Sequence, residues 1–493
     1  MAGTELELSA GPHRALLPLL LRGLLLLTSP CLGAPPQPAC GPLSPGKPFV
    51  VLWGIPIEVC SGRPNPEAFG MEREDRVAMF YEETMGKYPY FTDQEQPVNG
   101  GLPQHTRLDG HLLKTRQDLV AALPSPGYQG LGVLQWGKWS PQWGRNRENH
   151  TIYLDRSRAL LRSFFPEWTT EELEKWSQVD FEAAAQSIIT ETLREVKKLR
   201  PKALWGLYPY PDCHNSSPGQ LLSNYTGRCP AAEMALNDEV MWLWKLCSAL
   251  YPALTLEKRQ GGTEGARLYT SNQIREALRV AGLAGTAYDL PVFPLVQISY
   301  TSTNTFLPLA DLVNTIGESA AMGAAGVIIW DKDPGVFSTN PERVCRELAT
   351  FFREVLGSYV VNVTTSARLC GVSLCQGLGR CVRRKPESSA YLHLPPANFQ
   401  ITQGKAEGLQ ATGQLDPGDL EAWKRDFQCQ WYESLEEAAA DEENLKDMAQ
   451  MPSSPVSEQN QDTTVMDHSG PFLTIPVLPL LLILAITINL NLW

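Results

Sequence analysis

The chain has 493 residues, of which 43% are hydrophobic and 19% charged, and a formal net charge of −12. This composition suits a globular protein with a real core and excludes a disordered polymer. The acidic balance argues against nucleic acid as a partner, and any acidic ligand needs a locally basic groove.

His13 and Arg14 precede an apolar run from Ala15 to Leu27, broken only by Arg22, and small residues up to Ala34 offer a cleavage site. Residues 1–34 therefore read as a secretory signal peptide. From 46 to 358, short apolar runs alternate with longer helical patterns. The expected strands are 48–53, 77–81, 130–136, 203–208, 253–256, 291–298 and 326–330, rich in aliphatic and aromatic residues as buried parallel strands are. The clearest helix is expected over 170–199. Thr169 and Glu172 can form its capping box, and Leu173, Trp176, Val179, Phe181, Ala184, Ile188, Leu193 and Val196 give a stripe near helical period. Further helices are expected over 235–250, 272–281, 310–322 and 341–354. Repeated strand–helix units predict an α/β fold with a parallel sheet, closed as a distorted (β/α) barrel of TIM type or open and doubly wound. No Gly-rich nucleotide fingerprint follows a strand, which disfavours the open form, and no metal or cofactor is assigned.

After Tyr359, Cys370, Cys375 and Cys381 crowd together, with Cys429 further on, so 359–431 reads as a small disulfide module. Residues 432–470 are acidic and polar and read as a stalk. Residues 471–493 are apolar, with no Lys or Arg after Lys446. That suits a GPI-attachment signal, with Ser453, Ser454, Ser469 and Gly470 upstream; a tail-end transmembrane helix is the alternative. Sequons at Asn149, Asn215, Asn224 and Asn362 and the eleven cysteines fit a secretory route to the extracellular face of the plasma membrane.

A series of blocks then carries a specific resemblance: Met79-Phe80-Tyr81, Tyr88-Pro89-Tyr90, Asn99-Gly100-Gly101-Leu102-Pro103-Gln104, Leu204-Trp205-Gly206-Leu207-Tyr208, Asn224-Tyr225-Thr226-Gly227-Arg228-Cys229-Pro230 and Gly379-Arg380-Cys381-Val382-Arg383-Arg384. In this order they resemble the vertebrate hyaluronidases, glycoside hydrolase family 56, over about 46–430. The resemblance implies a distorted barrel with its groove at the C-terminal strand ends, followed by an EGF-like module. It implies disulfides Cys60–Cys345, Cys213–Cys229, Cys370–Cys381 and Cys375–Cys429. The module is degenerate, because Trp431 stands where a further cysteine belongs. Cys40 and Cys247 are left without an obvious partner.

The resemblance also implies retaining cleavage of β-1,4 N-acetylhexosaminide bonds, with the substrate's own acetamido oxygen as nucleophile. A glutamic acid gives a proton to the leaving oxygen, and an aspartate two residues earlier orients the acetamido group. The family pattern is D-W-E-x-W-x-P-x-W. Here Trp136, Trp139, Pro141 and Trp143 keep the register, but Gln135 occupies the aspartate position and Gly137 the glutamate position. Glycine cannot donate a proton. Lys138, at the opposite parity along an extended strand, is expected to face away; Glu148, Asp331 and Asp333 are the candidate replacement acids. Tyr81, Tyr208 and Trp330 match sugar-contacting positions, although barrel packing would also account for them. Thr255, Gln273 (for an arginine), Leu295 and Thr301 replace polar groove residues. The expectation is a catalytically inactive cell-surface glycoprotein that binds a glycosaminoglycan such as hyaluronan or chondroitin, or a protein partner. The alternative is an active hydrolase with a relocated acid.

Overall fold

The computed structural model describes residues 36–433 apart from 56–64, 216–223, 302, 304, 331–340 and 405–407. In chain order the first strands are β1 (Val50–Trp53), β2 (Val77–Tyr81), a short antiparallel pair β3 (Tyr90–Phe91) and β4 (Pro97–Val98), β5 (Leu131–Gln135), β6 (Leu204–Tyr208), β7 (Ala253–Leu254), β8 (Leu295–Gln297) and β9 (Gly326–Trp330). The seven predicted strands are present, several of them shorter than expected. They form two parallel ladders, β2-β5-β6 and β1-β9-β8-β7. The segment after β6 bridges them: Ser248 N–H donates to Trp205 O at 2.7 Å and Leu250 N–H to Pro291 O at 3.0 Å. The result is a curved, barrel-like wall of parallel strands. β5 reads Leu-Gly-Val-Leu-Gln and is buried up to its last residue, as a strand covered on both faces must be. Gly132 sits in it because a Cβ there would lie 2.4 Å from the Trp205 ring on β6.

Helices α1 (Leu108–Ala122), α2 (Thr151–Phe164), α3 (Thr170–Leu199), α4 (Ala231–Glu239), α5 (Met241–Leu246) and α6 (Glu264–Ala284) pack outside the wall. The α3 start is the expected capping box: Thr169 Oγ1 accepts from Glu172 N–H, and the Glu172 carboxylate accepts from Thr169 N–H. Its buried face differs from the predicted stripe. Val179 is exposed and Ser177 is buried, because the inward row runs 173, 177, 181, 185, 188 at steps of three and four.

After β8 come α7 (Leu309–Leu312), a π turn (Val313–Gly317) and α8 (Glu318–Met322). After β9 a continuous helical stretch comprises α9 (Pro341–Phe351), a π turn (Phe352–Leu356) and α10 (Gly357–Cys375). The module boundary expected at residue 359 thus falls inside a helix. Val360, Val363 and Ala367 of α10 share one apolar cluster with Leu254 and Val296 of the wall and with Phe427 beyond it. The remainder is β10 (Gly379–Arg383), the hairpin β11 (Phe399–Gln403) and β12 (Leu409–Gly413), helix α11 (Pro417–Asp426), and β13 (Phe427–Trp431) antiparallel to β10. Cys370 is bonded to Cys381 and Cys375 to Cys429, so the end of α10 is bolted to both strands of the β10/β13 pair. A buried ion pair adds to this: both terminal guanidinium nitrogens of Arg383 donate to Glu318 on α8, at 2.9 and 2.7 Å.

Cys345 is disulfide-bonded, and Cys60, its expected partner, lies outside the described residues. The bridge implied between Cys213 and Cys229 is not formed. The two sulfurs are neighbours, with Cys229 Sγ donating to Cys213 O at 3.3 Å. The described residues belong to one compact unit ending at Leu435; the second unit, Glu436–Trp493, lies outside them, as do the expected signal (1–34) and anchor (471–493). Among the described residues no helix is long and apolar enough to cross a membrane.

Candidate active site

The register across β2, β5 and β6 sets Tyr81 opposite Gln135, and Gln135 opposite Tyr208, so the three strands end on one row. Trp330 closes β9 on the other ladder, and its ring meets Tyr208 with centroids 5.3 Å apart. Between them lies a cavity of about 800 Å³ at the C-terminal edge of the wall, lined by Glu82, Gln135, Gly137, Lys138, Tyr208 and Trp330 among others. This is where parallel α/β folds place their chemistry. Tyr208 and Trp330, two of the three residues matched to sugar-contacting positions, line this cavity. Tyr81 does not line the cavity. Burial raises its phenol pKa, and the Trp330 indole beside it opposes that shift.

Position 137 is the centre of the site. A Cβ built on Gly137 meets nothing within 4 Å, and its φ is not in the left-handed region. Packing therefore does not require a glycine here. The Gly137 N–H donates to Glu82 Oε1 at 3.0 Å. Glu82, the residue after Tyr81, puts a carboxyl on the cavity lining, and burial raises its pKa above the usual carboxylate value, although the Gly137 N–H opposes the shift. Sequence reasoning passed over it. The available signal was a carboxylate one residue beyond a barrel strand's C-terminal end.

Two buried polar atoms on the lining make no hydrogen bond of good geometry among the described residues: Gln135 Oε1, and Trp330 Nε1, which lies beside the Tyr81 phenol on a side chain 1% exposed. An acceptor and a donor thus remain for a ligand. The tryptophans that fixed the alignment do structural work instead. Trp136, Trp139 and Trp143 are buried, and the last two donate from Nε1 to Pro89 O at 2.8 Å and Glu174 Oε1 at 2.9 Å.

Lys138 departs from expectation. β5 ends at Gln135, so strand parity does not reach residue 138, and Lys138 lines the cavity with its ammonium 5.7 Å from the Tyr90 ring centroid. Of the suggested replacement acids, Glu148 is exposed in a 3-10 turn and does not line the cavity, while Asp331 and Asp333 lie outside the described residues. Leu295 is buried in β8, Thr255 hydrogen-bonds the Tyr269 phenol, and Thr301 N–H donates to Leu256 O. Gln273 is buried and donates to Asn215 Oδ1 at 3.0 Å. Asn215 is itself 6% exposed, and its Nδ2 donates to Gly227 O and Tyr269 O at 2.6 and 3.1 Å. Both hydrogens of this nitrogen are committed to hydrogen bonds, which sets Asn215 apart from the other three sequons. Asn149 and Asn224 are exposed, and Asn362 Oδ1 accepts from Leu394 N–H.

The hyaluronidase family profile, glycoside hydrolase family 56, matches residues 38–444. The chain belongs to the hyaluronidase family. It is 39% identical to human hyaluronidase-1 over 407 residues, covering 80% of this chain and 92% of that protein. It is 36% identical to human hyaluronidase-4 over 414 residues, covering 82% and 85%. Bee venom hyaluronidase in complex with a hyaluronic acid tetramer superposes with a TM-score of 0.58 at 27% identity, covering 64% of this chain and 98% of that one. In this cavity the side chains at 135 and 137 are an amide and a hydrogen.

Proposed function

We propose that this chain is a cell-surface hyaluronidase-family glycoprotein that binds an N-acetylated glycan in its groove without cleaving it. The observation that carries the reading is position 137, where open space stands in place of a proton donor. Loss of a general acid costs about 100- to 10,000-fold in rate. The unpartnered Gln135 Oε1 and Trp330 Nε1 supply an acceptor and a donor that match the N–H and C=O of an acetamido group. Tyr208 and Trp330 offer aromatic faces to a sugar ring. Glycosaminoglycans carry such groups. The secretory signal, the three accessible sequons and the apolar tail support a position outside the cell, with the tail as a GPI-attachment signal.

Glu82 favours a second reading, a hydrolase with a relocated acid. In it Glu82 gives its proton to the glycosidic oxygen as the C–O bond breaks with the bonding pair on that oxygen, the substrate's acetamido oxygen bonds to the anomeric carbon, and water then displaces it there and returns a proton to Glu82.

A reducing-end assay on hyaluronan and chondroitin, at acid and neutral pH, tests both readings. The wild-type glycoprotein is expected to show no turnover. Gly137→Glu with Gln135→Asp is expected to fold as the wild type does, because residue 137 has room, and to raise cleavage at least ~100-fold. Wild-type turnover near that of active relatives overturns the first reading, and its loss in Glu82→Gln supports the second.

A further inference from the structure

We infer that the groove selects against uronic-acid polymers and takes uncharged N-acetylated sugar chains; this rests on the reading of the cavity as a sugar-binding site. Among the described residues three carboxylates line the cavity, Glu82, Asp93 and Glu95, the last paired with Arg156, against the ammonium of Lys138 and the imidazole of His150. Glu82 is fixed there by the Gly137 N–H. The ammonium of Lys138 is held over the Tyr90 ring, so it is only partly available to a ligand anion.

The arginines of the adjoining segment are also committed. Arg145 donates to Asn237 Oδ1 at 2.8 Å and lies 3.5 Å from Glu233. Arg147 pairs with Glu233 at 3.2 Å, and Arg156 with Glu95 at 3.2 Å. Residue 273, where the resemblance places an arginine, is a glutamine turned to Asn215. No guanidinium lines the cavity among the described residues. A uronate entering this lining meets like charge without the planar cation that pairs best with carboxylates. An acetamido group needs only the neutral donor and acceptor left by Trp330 and Gln135.

The test measures binding of two tetramers to the full-length glycoprotein by calorimetry. One is β-1,4-linked N-acetylglucosamine and the other hyaluronan. Low salt of about 10 mM, where the Debye length is roughly 30 Å, is compared with about 1 M, where it is roughly 3 Å. The neutral tetramer is expected to bind about tenfold tighter at low salt, a gap typical of one unscreened like-charge contact. High salt is expected to tighten hyaluronan binding. Glu82→Gln, checked for an unchanged Tm at acid pH, and Asp93→Asn are each expected to narrow the gap through hyaluronan alone. A hyaluronan tetramer that binds as tightly or more tightly at low salt, or that high salt weakens, overturns the selectivity and leaves the sugar-binding reading standing. If neither tetramer binds, both are overturned.

Discussion

At the scale of single residues, the site turns on the contrast between two glycines. Gly132 is demanded by the Trp205 ring, whereas Gly137 faces empty space. Packing therefore gains nothing from the lack of a side chain at 137, and the Glu82 carboxylate just beyond β2 accepts from its backbone N–H. That carboxylate has a pH signature. Burial raises the folded-state pKa of Glu82 above its ordinary value of 4.5. The folded chain therefore holds the Glu82 proton more tightly than the unfolded chain, and this contribution to stability is full below about pH 4.5 and lost as pH rises through the folded pKa. Glu82→Gln keeps an acceptor for the Gly137 N–H and carries no charge. It should match the wild type in denaturant unfolding near pH 4 and exceed it near pH 7. Equal stability at both pH values would show that Glu82 is solvated.

At the scale of elements, the sequence made the wall legible because parallel strands buried on both faces are written as unbroken apolar runs. Residues 77–81 and 326–330 coincide with β2 and β9. The long helix was legible from its capping box. Less was readable where periodicity is weak or tertiary contacts decide. α1 and α2 escaped notice, α6 begins eight residues before its expected start at 272, and α10 erased a boundary that cysteine crowding suggested. The site was half legible. Register across β2, β5 and β6 follows from their alignment, but the turn after Gln135, which brings in Lys138, does not. The Glu318–Arg383 pair was also invisible, since nothing in the sequence joins residues 65 apart. Both side chains are 0% exposed, and Ser271 Oγ also donates to Glu318. Arg383→Met leaves a buried carboxylate alone and should cost about 3–5 kcal/mol in denaturant unfolding, and adding Glu318→Leu should recover much of that loss. Additive losses in the double variant would mean that the pair is not coupled.

At the scale of the whole molecule, the acidic surface and the sequons describe what the environment meets. Asn149, on the cavity lining, and Asn224 are exposed, and the Asn362 nitrogen is not the atom that its backbone contact uses. Asn215 belongs to the interior. Glycopeptide mass spectrometry of the secreted chain should find carbohydrate on at most these three, with Asn215 bare. Asn215→Gln should destabilise by about 1–3 kcal/mol through its orphaned partners, without changing the glycan count. A glycan on Asn215 in folded material would contradict this packing.

The helical stretch from Pro341 to Cys375 has a mechanical consequence. At 1.5 Å per residue it is a shaft about 50 Å long, fastened at its far end to the last described strand through Cys375–Cys429. A force on β13 is handed across that sulfur link and the β10 ladder into the shaft and on to the wall, so the groove and the last described strand turn as one lever.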